Sequence, residues 1–207
     1  MSTCLLAFFN RPVLTVASAL LGKVLVMKSS STTLTPSLSL KREREISGVI
    51  TEVEAYDGVQ DKACHASKGC TDRTKVMFGP AGHWYVYLCY GMHWMLNVVC
   101  EREGYPAAIL IRSIAEIPNS NVSSSDVGWL WRGGIVGPGK VTKYFGIDKR
   151  FNGKAAIQNS GLWIEDRGIV IPKKIIHRTS RIGVTYAGEW AAKPYRFICR
   201  EPSLSSR

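Results

Sequence analysis

Apolar and polar positions alternate along this chain in short runs that predict many strands and few helices. Residues 12–21 place apolar side chains at helical spacing, opened by Pro12 and closed by Gly22, which predicts a short helix. Residues 23–27 then read as a strand, and residues 47–56, rich in β-branched side chains, as another. Between them, residues 29–39 are rich in Ser and Thr and contain Pro36, and residues 41–45 form a charge run. The whole of 29–45 therefore predicts a flexible loop or hairpin tip. Residues 57–76, full of Gly, Asp and small side chains, predict a long loop. Pro80-Ala81-Gly82 punctuates before an apolar strand pair, 83–88 and 97–112, with turns at Gly91 and Gly104-Tyr105-Pro106. Residues 119–125 read as a polar linker, Gly137-Pro138-Gly139-Lys140 precedes a short helix, and 161–171 and 181–186 read as strands. Strands and helices mix without βαβ regularity or internal repeat. The expected fold is α+β: one domain over residues 1–207, with a curved, mainly antiparallel sheet, flanking helices and a protruding β-hairpin.

Charge changes this picture more than composition does. The 207 residues suffice for a core without disulfides or metal, and the formal net charge is +11. Residues 1–136 hold 13 Lys/Arg against 11 Asp/Glu, whereas residues 137–207 hold 14 against 5, a net of +9. An excess confined to one third of the chain reads as a phosphate-gripping surface, the alternative being a solvated basic face. The six cysteines include no Cys-x-x-Cys pair, and Cys64-His65 with Cys70 lacks a second pair to complete a zinc site, so neither metal nor cofactor is expected. No apolar run of about 18 residues could span a membrane. The expectation is an intracellular monomer, in cytoplasm, nucleoid or nucleus, whose partner is nucleic acid.

Several polar groups stand in otherwise apolar strands. Glu52, Glu54 and Tyr56 share one strand face. Glu54 is costly there unless paired or functional; otherwise it marks a solvated edge. Glu52 and Glu54 could also be the acid/base pair of a sugar hydrolase, with Cα atoms about 6.6 Å apart, although the charge argues against a neutral polysaccharide. Tyr85 and Tyr87 share a face and Tyr90 follows at the turn; they are core packing or a stack for a flat ring, each stacked base contributing about 1–3 kcal/mol. His65 could stack too, or be a plain exposed histidine. Arg112 is a surface cap or the partner of a buried carboxylate such as Glu54. Asn97 is satisfied by backbone or placed to meet a ligand edge.

Together these motifs resemble the alkyladenine (3-methyladenine) DNA glycosylase family over nearly the whole chain. The resemblance rests on Leu20-Leu21-Gly22-Lys23-Val24-Leu25-Val26, the Glu-x-Glu-Ala-Tyr strand at 52–56, Met77-Phe78, Tyr85-Val86-Tyr87 with Tyr90-Gly91-Met92, and Gly137-Pro138-Gly139-Lys140. It continues through Arg181-Ile182-Gly183-Val184 and the run from Ala187-Gly188-Glu189-Trp190 to Phe197. It implies a monofunctional enzyme, without lyase activity, that flips a damaged purine out of double-stranded DNA and hydrolyses its N-glycosidic bond. Glu54 would activate the water and Arg112 hold it. Tyr56, His65 and Tyr87 would sandwich the base, Tyr90 would fill the gap left in the duplex, and Asn97 would disfavour guanine. Lys140, Arg73 and Lys75 are the expected phosphate contacts. The alternative is a binding homologue that has lost turnover. The chain departs from the family at residues 29–45, at 117–135 with Trp129 and Trp131, and at Tyr186, where some relatives carry His.

Overall fold

A computed structural model describes residues 2–4, 6–30, 43–117, 128–131 and 134–200. The elements run β1 (Ser2–Thr3), α1 (Leu6–Phe9), α2 (Val13–Leu20), β2 (Val24–Ser30), β3 (Glu43–Asp57), β4 (Trp84–Cys89), β5 (His93–Cys100) and β6 (Ala107–Glu116). Then follow β7 (Gly134–Val136), α3 (Pro138–Phe145), β8 (Leu162–Asp166), β9 (Ile176–Thr179), α4 (Glu189–Ala192) and β10 (Arg196–Cys199), with short 3-10 turns between. The strands form one sheet in the order β1-β8-β2-β3-β6-β5-β4; β10 lies against β3 and β9, and β7 against β6. Every pairing among the described residues is antiparallel, so the α+β expectation with its curled antiparallel sheet and projecting β4–β5 hairpin holds.

Residues directly opposite one another in antiparallel strands project to the same face. Ala55, Ile109, Val98 and Trp84 stand opposite one another across β3, β6, β5 and β4, and all face the main core. Val16 and Leu20 of α2 and Val141 and Phe145 of α3 close that core from outside the sheet. The next row, Glu54, Leu110, Asn97 and Tyr85, faces the other way. One face of the sheet builds the main core, and the other carries polar groups beside a smaller apolar cluster that includes Tyr85, Val99 and Ala108.

The ends of elements follow from local chemistry. Gly22, just past α2, has φ +86°, and a Cβ there would lie 2.8 Å from the Ile169 carbonyl oxygen, so only glycine fits. The loop expected over 29–45 narrows at both ends, because β2 and β3 stay paired as far as Ser30 and Glu43; residues 31–42 lie outside the described residues. The linker expected at 119–125 lies outside them too. The apolar stretch 97–112 is parts of two strands, joined by the expected turn at residues 104–106. The strand expected over 161–171 stops at Asp166, whose carboxylate accepts from the Gly168 N–H at 3.0 Å and turns the chain away. The strand expected over 181–186 does not form: Gly183 has φ +75°, and residues Thr185–Ala187 make a 3-10 turn. Strands β9 and β10 went unread in the sequence, their basic residues masking any alternation.

Candidate active site

The site begins at two irregularities in the β3–β6 ladder. Register slips between Ile50 and Glu52 and again between Glu52 and Val53, which leaves Arg112 without a facing partner. Arg112 also lies where β6 exchanges neighbours, from β5 at Leu110 to β7 at Ser113, and its carbonyl accepts from Gly137 instead. Bulges re-aim side chains. Here the guanidinium reaches both carboxylates of β3: Nε donates to Glu52 Oε1 at 3.0 Å, and Nη1 lies 3.4 Å from Glu54 Oε2.

The two carboxylates have different surroundings. Glu52 accepts from Arg112, from Arg196 at 2.6 Å and from Ser113 at 2.8 Å. Burial works to raise its pKa, but the Arg196 and Ser113 hydrogen bonds and the two guanidinium charges outweigh it, and the pKa is lowered. Held ionised by two guanidinium groups and a hydroxyl, Glu52 has no proton to give and cannot serve as the acid of a sugar hydrolase. Its work is to fix Arg112 and Arg196. Glu54 has no exposed surface and lies on an interior strand, not on a solvated edge. Its Oε2 accepts from the Tyr56 hydroxyl at 2.8 Å and its Oε1 from the Ile182 backbone N–H at 2.8 Å.

That Ile182 contact exposes residues the sequence reading did not single out. The Arg181 guanidinium, also buried, forks onto both oxygens of Asp61, with Nη2 at 2.8 Å from Oδ1, and donates to the carbonyls of Ala55 and Trp190. It lies 4.9 Å from the Tyr56 ring centre and 5.3 Å from that of Tyr195. Burial alone would lower the Arg181 pKa; hydrogen bonding and charge at Asp61 outweigh it and raise the value. Asp61 further accepts from the backbone N–H groups of Asp57 and Ala63. A buried ion pair of this kind depends on hydrogen bonds to its remaining groups. Both Asp61 oxygens and both Arg181 Nη atoms have them, while the buried Arg181 Nε has no partner among the described residues. The effect of the pair is to pin residues 181–184 against β3, with the Ile182 N–H on Glu54. Arg181-Ile182-Gly183-Val184 stood in the sequence as a motif, but alternation suggested a strand rather than a clamp.

In front of this wall lies a cavity of about 410 Å³, within the range of small-molecule pockets. Tyr56, His65, Tyr87, Asn97 and Arg112 all line it. His65 is half-buried, with its ring centre 4.6 Å from that of Tyr87 and Nδ1 3.0 Å from the Tyr85 hydroxyl. Burial, then the charges of Arg73 and Lys68, push its pKa down to about 4, so the ring is neutral at pH 7. Tyr85 is almost completely buried and Tyr87 only partly, so the first supports and the second presents its ring. Asn97 combines both readings open to it: Nδ2 donates to the Tyr85 carbonyl at 3.0 Å, and the side chain lines the cavity.

Tyr90 stands at the tip of the β4–β5 hairpin. Met92 N–H closes the turn on the Cys89 carbonyl, with φ +49° at Tyr90 and +68° at Gly91. Left-handed φ at both central positions matches the twist of a hairpin, but it strains a residue other than glycine. The tyrosine ring is 90% exposed and Met92 is 72% exposed, so packing does not explain either. Tyr186, 70% exposed, reaches the cavity from the clamp loop. Lys140 is exposed in the first turn of α3, whose Pro138 lines the cavity. Lys75 is exposed and ion-paired to Asp72 at 3.3 Å, whereas Arg73 lies over the Tyr87 ring and lines the cavity.

A family model described as methylpurine-DNA glycosylase matches residues 7–203. A protein of Methanocella arvoryzae is 43% identical over 97% of this chain and 94% of its own length. One from Myxococcus xanthus is 38% identical over 97% and 92%, and one from Legionella pneumophila is 40% identical over 97% and 96%. Each is provisionally named a 3-methyladenine DNA glycosylase.

Proposed function

The chain belongs to the methylpurine-DNA glycosylase family, and from that premise we propose that it removes alkylated or deaminated purines from duplex DNA by hydrolysing the N-glycosidic bond. The observation that carries this reading is the fully buried Glu54 carboxylate, addressed only by donors, behind an aromatic-walled cavity. Among the described residues Oε1 accepts only from Ile182, so it keeps a lone pair for the proton of a water. The water adds its oxygen to the sugar carbon, the C–N bond breaks, and the base leaves with the bonding pair. The same carboxylate stabilises the positive charge that develops on the sugar. Arg112, aimed by Glu52, would hold that water.

The base itself would enter between Tyr56 on one side and His65 with Tyr87 on the other, with Tyr90 replacing it in the stack. Asn97 would crowd the exocyclic amine of guanine. Lys140, in the basic final third, and the exposed Lys75 would grip phosphates. No lysine is among the described residues that line the cavity, which supports the reading of a hydrolase without a Schiff base or strand cleavage. The test is a labelled duplex carrying one hypoxanthine or 1,N6-ethenoadenine. The strand should break only after hot alkali, in EDTA, and with no borohydride-trapped adduct. A duplex left intact by alkali would end the glycosylase reading, and a trapped adduct would end the monofunctional one.

A further inference from the structure

Among the described residues that line the cavity, one carries a charge with no acid to match it. Glu52 and Glu54 are matched by Arg112 and Arg196, and Asp61 is matched by Arg181. Arg73 forms no ion pair with an acid among the described residues. Its guanidinium carbon lies 4.9 Å from the Tyr87 ring centre, and the side chain lines the cavity. The same charge helps hold His65 neutral, ahead of the smaller contribution from Lys68, and it works against the burial that raises the Tyr85 pKa. The positive field is therefore felt by all three rings of the outer wall. A residue that only gripped phosphate would point away from them.

We propose that Arg73 is a specificity-determining residue: its unmatched charge beside the Tyr87 ring favours neutral damaged purines over cationic ones. This rests on the glycosylase reading and deepens it. Alkylation at a ring nitrogen, as in 3-methyladenine, leaves the base in DNA positively charged, whereas deamination, as in hypoxanthine, leaves it neutral. An aromatic ring attracts a cation through its negative face. A guanidinium already on Tyr87 uses part of that attraction and adds direct repulsion. A neutral base with a carbonyl acceptor meets neither penalty. Arg73 is exposed, so solvent screens the effect and it should shrink as salt rises.

The experiment compares single-turnover excision of hypoxanthine and of 3-methyladenine from otherwise identical duplexes, at subsaturating enzyme, in wild type, Arg73→Gln and Arg73→Lys. Arg73→Gln should raise the 3-methyladenine-to-hypoxanthine ratio by about two- to five-fold, as expected of one solvent-screened charge. Arg73→Lys, which keeps the charge, should stay near the wild-type ratio. Equal losses on both bases in Arg73→Gln, with a shallower salt dependence, would overturn the proposal and make Arg73 a phosphate contact. Failure of the wild-type protein to release either base would instead overturn the glycosylase reading on which the proposal stands.

Discussion

Glu54 lies within a strand of the sheet and Tyr90 at the tip of a hairpin of the same sheet, and their surroundings are opposite. The carboxylate has no exposed surface, is approached by three donors, and is held through Ile182 by a second buried ion pair. The tyrosine is 90% exposed, rests on a two-strand hairpin, and takes a backbone conformation that glycine would take more readily. The difference matches what each would do. A general base must be held in fixed geometry before substrate arrives, so its cost is met by the fold. A wedge finds its partners only in DNA, so in the free protein it can only be left bare. Both the residue the fold invests in and the one it leaves strained and exposed are consistent with the roles proposed for them.

The largest effect that tests this contrast is at Glu54. Glu54→Gln should lower single-turnover excision by about 10²–10⁴. The protein should stay folded, at a stability cost of about 1–3 kcal/mol, because the Tyr56 hydroxyl can turn to accept from the new amide. Excision near the wild-type rate in that variant would return Glu54 to a purely structural role. Asp61→Ala is expected to act on the fold rather than the rate: it strands the Arg181 guanidinium and should cost about 3–5 kcal/mol in chemical denaturation. A loss below 1 kcal/mol would mean that residues 181–184 are not clamped through this pair.

How much of this was legible in the sequence follows the same division. Glu54, Tyr56 and Tyr87 sit in strands whose alternation fixes which way each side chain points, and the structure has them facing the cavity side. Arg112 was ambiguous because a bulge, not alternation, aims it. The Asp61–Arg181 clamp was invisible because 120 residues separate its members and the segment around Arg181 alternates like a strand. The one available signal was a buried-type motif, Arg-Ile-Gly-Val, placing glycine where a strand would not want it. Tyr90 was readable as a hairpin tip from Gly91, although its exposure and left-handed backbone needed coordinates.

Tyr90→Gly breaks the comparison from the other side. Glycine accepts the left-handed turn without strain but loosens the unfolded chain, so stability should change by no more than about 1 kcal/mol, in either direction. Stable flipping of ethenoadenine, read by its fluorescence, should fall by about ten-fold, the lower part of the range for one lost aromatic stack. A Tyr90→Gly protein that unfolds, or one that still flips fully, would show that the ring is packed or that the wedge lies elsewhere, with Met92 the next candidate.

The smallest effect is expected at His65, which stands between the two regions: half-buried like the wall, but facing the cavity like the tip. Its folded pKa of about 4 lies below the roughly 6.5 of an unfolded histidine, chiefly through burial and then through Arg73 and Lys68. Between those two values the unfolded chain binds a proton that the folded protein refuses. The stabilisation from keeping the ring neutral is therefore complete above about pH 6.5 and is lost as the pH falls toward 4. His65→Gln removes the titrating group while leaving a polar side chain beside the Tyr85 hydroxyl. Melting temperatures of the two proteins, followed from pH 7 down to pH 4, should converge as acid is added, because only the wild type loses this contribution. Curves that stay parallel would mean that His65 is as free to take a proton in the fold as outside it, and the aromatic wall would then belong with the bare tip rather than with the locked carboxylates.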